Sequence, residues 1–173
     1  ILDGKAEEPA WALGNLEKEF RFPWKQTPAP ATEYRALCDD TFLYFTFRVH
    51  DEDIVVLDKL RDEEDEVFED RVELYFSRGA QMKDYFCIEV DSRGRVFDYR
   101  GAYYRQLDPA WKFEGVETKA SSIPRTSSML AMAGSSEASQ VISTQSDIWT
   151  IVAPIVLSLL ARTFLVATSY ISY

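Results

Sequence analysis

Apolar and polar residues alternate most cleanly between Asp70 and Phe76, where Val72, Leu74 and Phe76 oppose Arg71, Glu73 and Tyr75. A period of two places the first set on one face of a strand and the second on the other. Tyr85 to Val90 repeats the pattern, with Phe86, Ile88 and Val90 against Tyr85, Cys87 and Glu89. The pattern predicts an antiparallel hairpin. Keeping like faces together sets the register: Leu74 opposite Ile88, Phe76 opposite Phe86, Tyr75 opposite Cys87 and Glu73 opposite Glu89. Two facing carboxylates, with Cβ atoms roughly 5 Å apart, repel unless an arginine, a cation or a hydroxyl-rich ligand lies between them.

The same period recurs on both sides of this hairpin. Phe42 to His50 alternates Leu43, Phe45, Phe47 and Val49 with Tyr44, Thr46 and Arg48, and Asp39-Asp40-Thr41 joins it to a strand from Thr32 to Cys38. Asp91-Ser92-Arg93-Gly94 is a turn into a strand from Arg95 to Tyr99, after which Tyr103, Tyr104 and Trp111 crowd a loop near Asp108-Pro109. Phe20, Phe22 and Trp24 predict a short strand, as does Ile1 to Lys5, and Pro9 starts a turn or helical stub anchored by Trp11. Short strands separated by turn residues point to an all-β chain, an antiparallel β-sandwich of jelly-roll or immunoglobulin-like type.

Composition then narrows the partners. A hydrophobic content of 46% in 173 residues is enough for one packed core. The net charge of −10 argues against nucleic acid, which requires a basic face to neutralise phosphate. Neutral polyols or cations fit better. Cys38 and Cys87 have neither the number nor the spacing for a disulfide scaffold or a zinc site. His50 is the one histidine, so a Ser-His-Asp or Cys-His triad has little to draw on, and a structural role at a strand end suits it. The acid-rich segment from Asp51 to Glu66 reads as a solvated loop; Asp51 and Asp53 could offer oxygen to calcium, without the glycine and closing glutamate of an EF-hand loop.

Four stretches, in order, carry a family resemblance. Ile1-Leu2-Asp3-Gly4-Lys5 with Glu8-Pro9-Ala10-Trp11, then Asp39 to Phe45, then Glu69 to Phe76, then Tyr85 to Val90 resemble carbohydrate-binding module family 9 and its relatives over roughly residues 1–120. The resemblance implies a secreted, extracellular or periplasmic β-sandwich that binds carbohydrate without catalysis, with structural calcium near the sugar in some members. It places Glu73 as the acidic residue near the sugar and Asp70 as the residue opening that strand. Where xylanase-attached members carry a tryptophan, this chain has Val67, with Phe68 beside it.

The expected ligand face thus comprises Glu73, Glu89 and Arg71 with Tyr75, Tyr85, Tyr99 and Trp111: rings to lie on the C–H faces of a sugar, charged groups to meet its hydroxyls. Two other readings use the same residues. Glu73 and Glu89 could be a retaining-glycosidase pair, whose carboxylates stand roughly 5 Å apart, although a flat, exposed sheet face gives a catalytic acid little shelter. A structural interaction domain would leave them as a solvated outer face.

From about Ala120 the composition changes: residues 1–119 hold 27 acidic and 17 basic residues and 7 serines and threonines, residues 120–173 hold 2, 2 and 17. No alternating strand of the family's kind is visible there, which divides the chain into a module-like part, 1–120, and an atypical segment, 121–173, that reads as altered or replaced. Ile148 to Ala161 is strongly apolar but short for a membrane span and contains Pro154; continued through Ile171 it would be long enough to anchor the chain, at a cost of roughly 3 kcal/mol for Arg162. A buried strand or helix pair is the plainer expectation. Without replacement strands the sandwich would keep an open edge.

Overall fold

The computed structural model describes residues 2–22, 26–51, 54–59, 69–77, 79, 81, 83–124, 144–154 and 164–170; for 122–124, 144–154 and 164–170 the description is of the backbone. Among the described residues the chain forms a 3-10 turn, Pro9–Leu13, and nine strands: β1 (Ala31–Cys38), β2 (Phe42–His50), β3 (Arg71–Ser77), β4 (Tyr85–Asp91), β5 (Val96–Tyr103), β6 (Gln106–Asp108), β7 (Glu117–Pro124), β8 (Thr144–Pro154) and β9 (Phe164–Tyr170). They make two antiparallel sheets, ordered β1-β2-β8-β7 and β6-β5-β4-β3-β9.

The two hairpins follow the side-chain pattern. In β3–β4 the Cα partners are Leu74 with Ile88, Phe76 with Phe86, Tyr75 with Cys87 and Glu73 with Glu89, the register that burying one apolar face requires. In β1–β2, Asp39 closes the turn, its Oδ1 accepting from the amides of Thr41 (2.7 Å) and Phe42 (2.8 Å). Tyr44 donates its hydroxyl to Asp39 Oδ2 at 2.6 Å, and that bond, with the two amides, lowers the Asp39 pKa. The turn into β5 is built likewise: Asp91 Oδ1 accepts from the amides of Arg93 and Arg95, and Gly94 takes φ +79°, a conformation that glycine adopts at no steric cost.

Phe45, Phe47 and Val49 of β2 meet Val72, Leu74 and Phe76 of β3 and Ile88 and Val90 of β4 in the core between the sheets, closed at one end by Phe113. Phe45 and Phe76 meet edge-on with centroids 5.9 Å apart, which fixes the sheets face to face.

Several expectations change. Leu2 to Lys5 form a bend rather than a strand, and Phe20 and Phe22 belong to no strand; two isolated bridges, Glu17 with Tyr34 and Arg21 with Pro28, hold that segment, while Ile1 and Trp24 lie outside the described residues. The stub at Pro9 is present, with Trp11 Nε1 donating to Glu8 Oε2 at 3.1 Å. The loop expected after Tyr99 is instead a tight hairpin: β5 runs on to Tyr103 and returns as β6, with Arg105 at φ +57° in the turn.

The largest change concerns the segment after residue 120. β7 crosses that boundary, β8 lies between β2 and β7 and pairs with β2 along its length, from Phe42 opposite Pro154 to Val49 opposite Asp147, and β9 flanks β3. The described part of the apolar stretch, 148–154, is strand, the first of the two expected alternatives, and β8 and β9 enter different sheets. A continuous apolar run carries no period, so pattern alone could not separate a buried central strand from a helix. Among the described residues no helix is long and apolar enough to cross a membrane.

Candidate functional site: a tyrosine cleft over a buried charge cluster

The face of β3-β4-β5 turned away from the core carries Arg71, Glu73 and Tyr75, then Tyr85, Cys87 and Glu89, then Phe97 and Tyr99. Sequence reasoning brings six of its seven site residues here, all but Trp111. It misplaces their depth. Glu73 is 6% exposed, Glu89 3% and Arg71 8%, so the acids form a sealed layer, not a solvated face.

Arg71 resolves the repulsion that the register creates. Its Nη2 lies 2.8 Å from Glu73 Oε1 and its Nε 2.5 Å from Glu89 Oε2, one guanidinium serving two facing carboxylates. Burial opposes the charge on Arg71, but the two carboxylates more than offset it and hold its pKa up. Tyr75 donates its hydroxyl to Glu73 Oε2 at 2.7 Å. On the other side, a hydrogen bond from Tyr99 and the thiol of Cys87, 3.9 Å from Oε1, attend Glu89. Burial, then the repulsion of Glu73, pushes Glu89 up to about 7 in spite of Arg71. Burial also raises Tyr75, Tyr99 and Cys87, which stay protonated.

A pH dependence follows from Glu89. Its ordinary value is 4.5, so between there and about 7 the folded chain holds a proton that the unfolded chain releases. The stability this group contributes is complete below pH 4.5 and is lost as pH rises through 7, a change on the order of 3 kcal/mol. Urea titrations from pH 4.5 to 8 should show that fall in the native chain and a markedly flatter profile in Glu89→Gln. Parallel profiles would contradict the assignment.

Above the charge cluster lies a cleft of about 430 Å³, within the range of small-ligand sites. Tyr75, Tyr85 and Tyr99 form its base and Tyr103, Tyr104, Arg105, Leu107 and Gln81 its walls. Tyr85 meets Tyr75 at 5.7 Å between centroids and Tyr99 at 6.2 Å, nearly edge-on. The Tyr85 ring covers Gly101, its Cα partner on β5, so closely that a methyl group added at Gly101 would collide with it. The walls are exposed: Tyr103 is 52% accessible and Tyr104 71%. Sequence reading places Tyr103 and Tyr104 in a loop and not in a hairpin wall, because Tyr104-Arg105 lacks the glycine or asparagine that marks a two-residue hairpin turn.

Trp111 is a correction. Its ring meets Phe86 at a tilt (centroids 4.6 Å apart) and Phe113 edge-on (5.6 Å) and packs against the core cluster, on the side of the sheet opposite the tyrosines. Half-buried there, it is not among the described residues that line the cleft. The glycosidase geometry is corrected too: Glu73 and Glu89 do face each other, but Arg71 lies between them and neither lines the cleft.

The other acids of this sheet are similarly engaged. Glu69, fully buried, accepts from the amide of Leu57 and from Arg95 Nη2 (2.7 Å), and Arg95 Nε pairs with Asp91. Asp70 Oδ2 accepts from the amide of Val55 at 2.6 Å. Among the described residues no three His, Cys, Asp or Glu side chains are grouped to hold a metal. Asp53, Val67 and Phe68 lie outside the described residues.

No protein-family model matches the sequence, and no curated protein sequence matches it. Solved structures do. The architecture, two antiparallel sheets packed face to face, is that of a carbohydrate-binding-module β-sandwich. More particularly, it is the fold of carbohydrate-binding module family 9. A family 9 module from Caldicellulosiruptor kristjanssonii in complex with cellotriose aligns with a TM-score of 0.57 at 12% identity, covering 99% of this chain and 72% of that one. Its glucose complex aligns with the same score and identity over 90% and 64%. A candidate carbohydrate-binding protein from Bacteroides uniformis aligns with a TM-score of 0.59 at 15% identity, covering 94% and 80%.

Proposed function

We propose that the chain is a non-catalytic carbohydrate-binding domain whose ligand lies in the tyrosine cleft. The observation that carries this reading is the clustering of five tyrosines around one open cavity on the outer face of β3-β4-β5. Sugar rings present apolar C–H faces to aromatic surfaces and hydroxyls to polar groups at the rim, which here are the wall phenols, Gln81 and Arg105. The family 9 structures that share the fold are complexes with glucose and cellotriose, which supports a saccharide as the ligand.

In this reading Tyr75, Tyr85 and Tyr99 touch the sugar. Glu73, Glu89 and Arg71 act from beneath, fixing the phenols of Tyr75 and Tyr99 so that the base of the cleft is ordered before the ligand arrives. Acid catalysis has no part in it, since both carboxylates are committed to Arg71 beneath the cleft. Such a domain works outside the cytoplasm, where polysaccharide is found. Calorimetric titration with glucose, cellotriose and a panel of hexose and uronic-acid glycosides tests the reading: saturable binding to at least one is expected, and no heat with any of them would end it.

A further inference from the structure

We propose that the preferred ligand is an anionic sugar, a uronic-acid residue whose carboxylate is received by Arg105; this rests on the cleft being the saccharide site. Among the described residues that line the cleft, Arg105 supplies the only charged side chain. In a chain of net charge −10, acids outnumber bases, and the other described arginines of this sheet and its turns are matched to them. Arg71 holds Glu73 and Glu89, Arg95 holds Asp91 and Glu69, Arg93 holds Asp58 and Arg100 holds Asp84. Arg105 makes no ion pair among the described residues.

Its position is nonetheless defined. It occupies the left-handed region in the β5–β6 turn, φ +57°, and its guanidinium lies 5.3 Å from the centre of the Tyr104 ring, a cation–π contact at the cleft wall. A planar guanidinium braced by a ring and without a carboxylate of its own is a preorganised partner for a bidentate carboxylate. Arg71, paired with both acids beneath, offsets one of their two charges, and neither acid is in the described lining, so Arg105 is the charge that faces the ligand there. With the C–H face of the pyranose on the tyrosines, a carboxylate at C6 projects from the rim of the ring, where the walls stand. Gln81, also in the lining, has an amide suited to a ring hydroxyl.

Methyl β-glucoside and methyl β-glucuronide differ only in the oxidation state of C6, so the pair isolates the carboxylate. Titrated by NMR at low ionic strength, the glucuronide should bind on the order of tenfold more tightly, and added sodium chloride should shrink the difference. In Arg105→Gln the two ligands should bind within about twofold of each other, the change that losing one charged contact brings. Equal affinities in the native chain, or a glucuronide preference that survives Arg105→Gln, would overturn the assignment to Arg105 while leaving the cleft as a sugar site. Failure of both ligands to bind would overturn this inference, and the sugar site falls with it only if glucose, cellotriose and the rest of the glycoside panel also give no binding.

Discussion

The variant Arg71→Met should lose about 3–5 kcal/mol of stability, the usual penalty for stripping the partner from a buried charge. Here the penalty falls on two carboxylates, Glu73 and Glu89, which are Cα partners across β3–β4 and nearly inaccessible to water. Both would have to be protonated or solvated before the hairpin could close. Protonation answers the repulsion, so the deficit should shrink as pH is lowered from 8 to 5. The triple variant Arg71→Met, Glu73→Gln, Glu89→Gln, which removes the charges together, should recover most of the loss. Urea midpoints at constant m-value measure all three chains. A native-like midpoint for Arg71→Met alone would mean that the acids are solvated and that the cluster is incidental.

Tyr85→Ala should weaken saccharide binding by about ten- to a hundredfold, as loss of a central aromatic anchor does. Tyr85 contacts both other basal rings and lies over Gly101, so its removal opens the base of the cleft. Tyr85→Phe keeps the ring and should retain most of the affinity. Gly101→Ala, which substitutes no cleft residue but displaces the Tyr85 ring, should reproduce much of the loss. Trp111→Ala supplies the contrast. Its ring packs on Phe86 and Phe113 on the core side, so it should cost about 3 kcal/mol in stability and leave affinity within twofold of native. Calorimetric affinities and denaturation curves on these variants separate ligand contact from packing. Equal affinity loss in Trp111→Ala and Tyr85→Ala would refute the assignment of faces.

What sequence reasoning could reach was set by which constraints are local. Alternation fixes faces, and burial of one face fixes register, so Glu73 opposite Glu89 was legible before any coordinates. Depth was not. Whether the second face of a strand meets water depends on what folds over it, and the β5–β6 hairpin that walls the cleft has no turn residue to announce it. Trp111 reads as a ligand ring in sequence because it follows the exposed tyrosines, yet a short step along the chain carries it to the other side of the sheet. β8 was half legible, as a buried strand or helix pair, for a different reason: the apolar run of residues 148–154 has no alternation to betray a strand with neighbours on both sides.

The central claim is that saccharide binds the tyrosine cleft on the outer face of β3-β4-β5. Carbon-13 labelling of the tyrosine rings tests it most directly, because Tyr34 and Tyr44 on the other sheet are internal controls. Addition of glucuronide or cellotriose should shift the ring resonances of Tyr75, Tyr85, Tyr99, Tyr103 and Tyr104 in saturable fashion and leave those of Tyr34 and Tyr44 unmoved. Saturable shifts confined to Tyr34 and Tyr44, or binding by calorimetry with no cleft resonance moving, would contradict it.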